Sequence, residues 1–260
     1  MNTVPLYHKI IGEGEPLIII HGLFGMSDNW ASFARRVAEE RMVILVDARD
    51  HGRSPHTDEI NYELIAEDLA KVMEDNWIHH ADVLGHSMGG KAAMKLASLH
   101  SSMVSRLIIV DIGPGENPDR HTDIFNAMES VDLVNGHSRK EIEDHLLQDI
   151  HSISTVRFLM KNLARNKGFN GFRWKMNLPL LRKHFPDILA SIELDHIDIP
   201  TLFVRGEDSD YIDPIQESII EAHFNHYEIV DIPEAGHWVH ADQPDALYDT
   251  LYDFLNKNND

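Results

Sequence analysis

Short apolar runs that end abruptly at a polar or glycine residue recur along this chain, and the segments between them place apolar residues at helical spacing. Leu17-Ile18-Ile19-Ile20 stops at His21-Gly22, and Val43-Ile44-Leu45-Val46 stops at Asp47. Runs without alternation are what strands covered on both faces require. Between them, residues 28–40 set Trp30, Phe33 and Val37 on one helical face. The pattern goes on with a helix at 62–75, a strand at Ala81–Leu84, a helix at 88–99 and a strand at Leu107–Val110 that ends at Asp111. Strand and helix in alternation predict right-handed crossovers and a mostly parallel sheet flanked by helices, an α/β fold.

After Gly113-Pro114-Gly115 the pattern turns to helical segments, and no strand is predicted until Pro200-Thr201-Leu202-Phe203-Val204. Tyr227–Ile232 reads as the last strand, with His237 in the loop beyond it and a closing helix at 244–256. The expected organisation is a core from 1–113 and 191–260, interrupted by a helical cap over 114–190.

The 260 residues suit one catalytic domain of this kind. Charge changes the picture in two ways. A formal net charge of −20 argues against nucleic acid as a partner, because phosphates would be repelled. Yet Arg157, Lys161, Arg165, Lys167, Arg173, Lys175, Arg182 and Lys183 fall in a stretch with no acidic residue, so the cap carries a basic segment. The opening residues lack the basic start and apolar run of a signal peptide, and nothing approaches the ~20 apolar residues of a membrane span, so a cytoplasmic protein is expected. The chain has no cysteine, which excludes disulfides and thiolate metal sites. His86, His237 and His240 lack the spacing and acidic partners of a metal site, and no dinucleotide-binding glycine pattern is present. No cofactor or metal is expected, and the oligomeric state is not legible.

The chemistry concentrates at Gly85-His86-Ser87-Met88-Gly89, a G-x-S-x-G match between a predicted strand and a predicted helix. A sharp turn there lifts the serine above the sheet, and flanking glycines leave room for it. The amides at the start of the next helix would face a developing oxyanion. The plainer reading is a glycine-rich turn whose serine only caps the helix. A serine hydroxyl needs a base, and His237 follows the last predicted strand, with His240 the next candidate. A second oxyanion donor besides Met88 is expected from His21-Gly22-Leu23-Phe24-Gly25, at Leu23 ahead of Phe24.

These motifs, with VDARDHGRSP at 46–55, VDIGP at 110–114 and AGHWVHADQP at 235–244, resemble the YbfF-type esterases of the α/β-hydrolase superfamily across nearly all of the core. The resemblance implies an α/β-hydrolase fold with a helical lid between strands 6 and 7. In most of that superfamily the acid lies three residues after a glycine on the penultimate strand. Counted from Gly206, that position is Ser209, flanked by Asp208 and Asp210. In the resembled esterases the acid follows the strand after the nucleophile's helix, which implies Asp111 here; Asp208 and Asp210 stay open as alternatives.

Asp47, Arg49, His51, Gly52, Arg53 and Ser54 read as a hydrogen-bonded brace. In the cap, Phe158, Leu159, Met160, Phe169, Phe172 and Trp174 are either acyl-pocket lining or cap core. Phe24, Phe158, Phe172, Trp174 and Trp238 are the substrate-binding candidates. The expected substrate is a small acyl ester or acyl thioester, and the basic cap would suit an anionic one such as an acyl-coenzyme A unless it pairs with acidic core residues. A carbon–carbon bond hydrolase or cofactor-free haloperoxidase could use the same Ser, His and acid set, and a binding protein on this scaffold is the non-enzymatic alternative.

Overall fold

The computed structural model describes residues 2–134, 137–166 and 171–257. Its seven-stranded sheet holds β1 (His8–Ile11), β2 (Pro16–Ile20), β3 (Met42–Val46), β4 (Ala81–His86), β5 (Val104–Val110), β8 (Thr201–Gly206) and β9 (Tyr227–Ile232), in the order β1-β3-β2-β4-β5-β8-β9. Every pairing is parallel except that of β1 with β3. β4 is buried throughout, β2 from Leu17 to Ile20 and β5 from Leu107 to Val110, which explains the continuous apolar runs there. β1 escapes that pattern because it is a half-exposed edge, reading His-Lys-Ile-Ile.

On one face of the sheet, α2 (Tyr62–Asp75) and α3 (Met88–Leu99) cover β4 and β5. On the other, α1 (Ala31–Val37) and α11 (Pro244–Asn256) pack over Leu17, Ile19, Leu84 and Ile108. The helix expected at 28–40 divides into a single 3₁₀ turn at Ser27–Asn29 and the shorter α1. Trp30 at the junction is 1% exposed, and its burial fixes the break.

Between β5 and β8 lie α4 (Thr122–Ser130), α5 (Arg139–Asp149), α6 (Ile153–Met160), the antiparallel pair β6 (Leu163–Arg165) and β7 (Phe172–Trp174), α7 (Leu178–Lys183) and α8 (Phe185–Leu189). The hairpin was not expected; strands of three residues are too short to carry a period. Counted along this sheet, the segment falls between the fifth and sixth strands, because the described sheet has seven. After β8 come α9 (Pro214–His223), β9 and the short α10 (Val239–Asp242). No described helix is long and apolar enough to cross a membrane.

Candidate active site

Ser87 stands at the bend between β4 and α3 with φ 52° and ψ −122°, a conformation that costs an L-residue of order 1–3 kcal/mol. The bend survives because its neighbours are glycines. A Cβ on Gly85 would collide with the Gly89 carbonyl, and one on Gly89 would lie 2.5 Å from the carbonyl oxygens of Ile20 and His21. The Ser87 amide donates to Val110 O at 3.0 Å, and its carbonyl accepts from Gly90 at 2.7 Å. Met88 opens α3, so its amide has no carbonyl one turn earlier and sits at the positive end of the helix dipole.

Asp111, just past β5, also has a positive φ of 54° and is fully buried. Its Oδ2 accepts the Nδ1–H of His237 at 2.7 Å and the hydroxyl of Ser209, while Oδ1 accepts the Gly206 amide at 3.1 Å. Three donors compensate a carboxylate that water cannot reach. A proton held on Nδ1 leaves Nε2 as the basic nitrogen of His237. The structure thus brings Asp111 to His237 and not the two alternatives. Asp208 is exposed, and Asp210 pairs with Arg120 at 2.7 Å. Tyr211 lies flat on His237, ring centroids 3.7 Å apart and planes 14° off parallel, with the Arg120 guanidinium 5.0 Å from the Tyr211 centroid.

Ser87 and His237 line one narrow cleft, together with Leu23, Phe24, Phe158 and Trp238. Phe158 and Trp238 meet at 5.6 Å between ring centroids. Phe172 and Trp174 do not line it. The two buried positions of β7 face the interior of the 114–190 segment, where the Trp174 indole N–H donates to Met128 O at 3.3 Å. Phe169 and Lys167 fall outside the described residues. A second narrow cleft shares Leu23, Ser87 and His121 with the first and adds Met88, Tyr62, Lys91 and Tyr211 among others.

Sequence reasoning missed His121, Trp30 and the set of imidazoles around the site. Burial drives the pKa of His121 to about 4 and that of His240 to about 3, and holds His21 and His86 below their ordinary value. All four are neutral near pH 7. His240 stacks on Trp30 at 4.1 Å and, despite its place near His237, pairs with no carboxylate among the described residues, its Nδ1 being buried without a partner. His86 Nε2–H donates to the His237 carbonyl at 2.8 Å and fixes the loop carrying it. With eighteen histidines in the chain, only the fold tells these apart.

The 47–54 motif is a brace. Asp47 accepts the Ser27 and Arg53 amides at 2.6 and 2.8 Å, and Ser54 links the Tyr7 amide to the Asp47 carbonyl. Arg49 forms a buried two-pronged pair with Asp68 at 2.7 and 2.9 Å. The 114–190 segment is seated on this frame. Asn162 donates to the Phe24 carbonyl at 2.6 Å, and Asn177 to the Asp50 carboxylate at 2.9 Å.

A family model for the alpha/beta hydrolase fold matches residues 15–244. The chain is 33% identical to Esterase YbfF of Escherichia coli (strain K12), over 94% of both proteins. It is 35% identical to the sn-1-specific diacylglycerol lipase ABHD11 of Mus musculus, over 98% of this chain and 86% of that one. A solved structure described as a marine microorganism esterase superposes with a TM-score of 0.95 at 38% identity, covering 97% of this chain and all of the other.

Proposed function

This chain belongs to the α/β-hydrolase fold family, and from that premise we propose that it is a carboxylesterase-type serine hydrolase acting through an acyl-enzyme on Ser87. The observation that carries the reading is the Asp111–His237 hydrogen bond beside a serine held in a strained bend within the same cavity. His237 Nε2 takes the Ser87 proton as Oγ bonds to the ester carbonyl carbon. The oxygen becomes an oxyanion facing the Leu23 and Met88 amides. His237 then delivers the proton to the leaving alcohol or thiol as its bond to carbon breaks. Water repeats the sequence, with its proton passing through His237 back to Ser87 as the acid departs. Asp111 holds the tautomer and stabilises the imidazolium.

The 114–190 segment serves as the cap over this site, supplying Phe158 and His121 to its walls. Thioesters with an anionic thiol half, such as acyl-coenzyme A, are within its reach. Arg157, Lys161, Arg165 and Arg173 are exposed on the cap, and none forms an ion pair among the described residues. Unpaired cations of this kind draw an anionic substrate at low salt. Neutralising the four should raise KM for acyl-coenzyme A and flatten its salt dependence; an unchanged KM rejects the thioester reading.

The test of the whole is labelling by a fluorophosphonate probe alongside turnover of p-nitrophenyl acetate. Native protein should label and turn over, and Ser87→Ala should do neither. Equal labelling of Ser87→Ala would remove Ser87 from the role.

A further inference from the structure

His121 is a polar side chain of the cap that the mechanism above leaves unused. Leu23, Ser87 and His121 are the residues common to both clefts, so the imidazole stands where they meet, beside the nucleophile and the residue of one proposed oxyanion amide. The polar side chains around it differ in this respect. Thr155 and His240 line only the first cleft and Tyr211 only the second, while Tyr62, Asn117 and Lys91 already donate to backbone carbonyls.

The start of α4 fixes the ring in place. Asp119 Oδ1 accepts the amides of His121 and Thr122, both at 3.0 Å, and its Oδ2 accepts the Thr122 hydroxyl at 2.5 Å. A carboxylate so placed satisfies amides that the first helical turn leaves open. The imidazole packs against Phe24 and Phe185, with ring centroids 5.9 Å away in each case. Packing of this kind restricts its rotamers, so any group it presents is preorganised.

Which group it presents follows from its two nitrogens. Nδ1 is buried and has no hydrogen-bond partner among the described residues. Burial, and after it the nearby His237, keep the ring neutral by lowering its pKa to about 4. A neutral imidazole carries a single proton. On Nδ1 that proton would be a buried donor without an acceptor, which makes this the costlier tautomer. The proton therefore belongs on Nε2, at the tip of a ring that lines the clefts.

We infer that His121 is a further catalytic residue: its Nε2–H, brought by the cap, joins the Leu23 and Met88 amides as a third donor to the oxyanion formed at Ser87. This rests on the acyl-enzyme reading above and deepens it. A neutral donor suits the position. Its hydrogen bond strengthens as the ester oxygen gains charge, whereas a cation there would oppose the imidazolium forming at His237. The cap then contributes to the rate as well as to the enclosure of the site.

The experiment compares native protein, His121→Phe and His121→Gln. It measures kcat and KM for p-nitrophenyl acetate, and Ki for a trifluoromethyl ketone, which forms a tetrahedral oxyanion adduct with a reactive serine. His121→Phe keeps an aromatic ring against Phe24 and Phe185 and removes the donor; His121→Gln restores an amide N–H at the end of a side chain of similar reach. His121→Phe should lower kcat by about a hundredfold with KM nearly unchanged, the pattern of a lost oxyanion donor. Its Ki should rise by the same factor, and His121→Gln should recover about tenfold of the loss in both. If His121→Phe does not fold, His121→Leu carries the same comparison. Native kcat in the donor-less variant, a raised KM at native kcat, a Ki that stands while kcat falls, or a His121→Gln slower than His121→Phe each overturns the assignment. Native protein that turns over no ester rejects the hydrolase reading instead, which keeps the two failures apart.

Discussion

The hydroxyl of Ser209 and the imidazole N–H of His237 converge on a single atom, Oδ2 of Asp111. Ser209 is the position at which most relatives of this fold carry the acid. Here it donates a hydrogen bond to the carboxylate that follows the neighbouring strand, the acid of the proposed mechanism. Asp111→Asn should therefore lower kcat by about 10⁴, the cost of a wrong imidazole tautomer. Asp208→Asn and Asp210→Asn should stay within a few-fold of native. In the background of Asp111→Asn, adding Ser209→Asp should recover part of the lost rate, because the new carboxylate starts within reach of the same nitrogen. Steady-state kinetics on p-nitrophenyl acetate distinguish these outcomes.

Tyr211 covers the face of His237, and Arg120 with its counter-ion Asp210 sits against Tyr211. Removing the ring frees the imidazole to tilt away from its working orientation. Tyr211→Ala should cost roughly tenfold to a hundredfold in kcat. Tyr211→Phe keeps the stacked ring and should restore most of the rate. Equal losses in the two variants would show that the hydroxyl matters and the stacking does not.

Acid should unfold this protein earlier than its carboxylates alone require. His51, His121 and His240 are held neutral, burial having lowered them to about 3, 4 and 3. In the unfolded chain each titrates near 6.5, so below that pH the unfolded state binds protons that the folded state refuses. Stability is complete above pH 6.5 and falls as pH drops toward 4, by about 2 kcal/mol per histidine at pH 5. Urea unfolding at pH 7 and pH 5 measures the loss. His51→Asn should make it smaller.

Arg49 and Asp68 lie 2% and 0% exposed and hold the loop after β3 to α2. Breaking the pair strands one charge in the interior. Asp68→Ala should lower unfolding free energy by about 3–5 kcal/mol. Because neither residue touches either cavity, the fraction that folds should keep native kcat. Calorimetry and active-site titration together test this.

The parts of the fold with strong periodicity were legible. The helices at 62–75, 88–99 and 244–256 and the strand at 227–232 have the bounds that the sequence pattern predicts. Edges and short elements were not, since β1 is half exposed and β6 and β7 have three residues each. At the site, local sequence pointed to Ser87 through its glycines and to His237 through its place after the last strand. Asp111 came only through resemblance, because its meeting with His237 depends on β5 lying beside β4 and β8 in the sheet. The contribution of Ser209 spans 98 residues of chain and leaves no local trace. Phe172 and Trp174 misled because an aromatic residue facing a cap's own interior has the same spacing as one facing a ligand.

Lys91 lies one helical turn beyond Ser87 and grips both the entrance of the cap, at Gly115, and its exit, at Leu189 and Ala190. The two ends of some seventy residues are thereby knotted to the helix that begins at the reactive serine. Between those anchors Asn162 and Asn177 tie the segment to the core twice more, so its sequence is constrained at these points as well as at its ends. A graft that preserves the carbonyls at 115, 189 and 190 and the amides of Asn162 and Asn177 would arrive already aligned with the bend at Ser87.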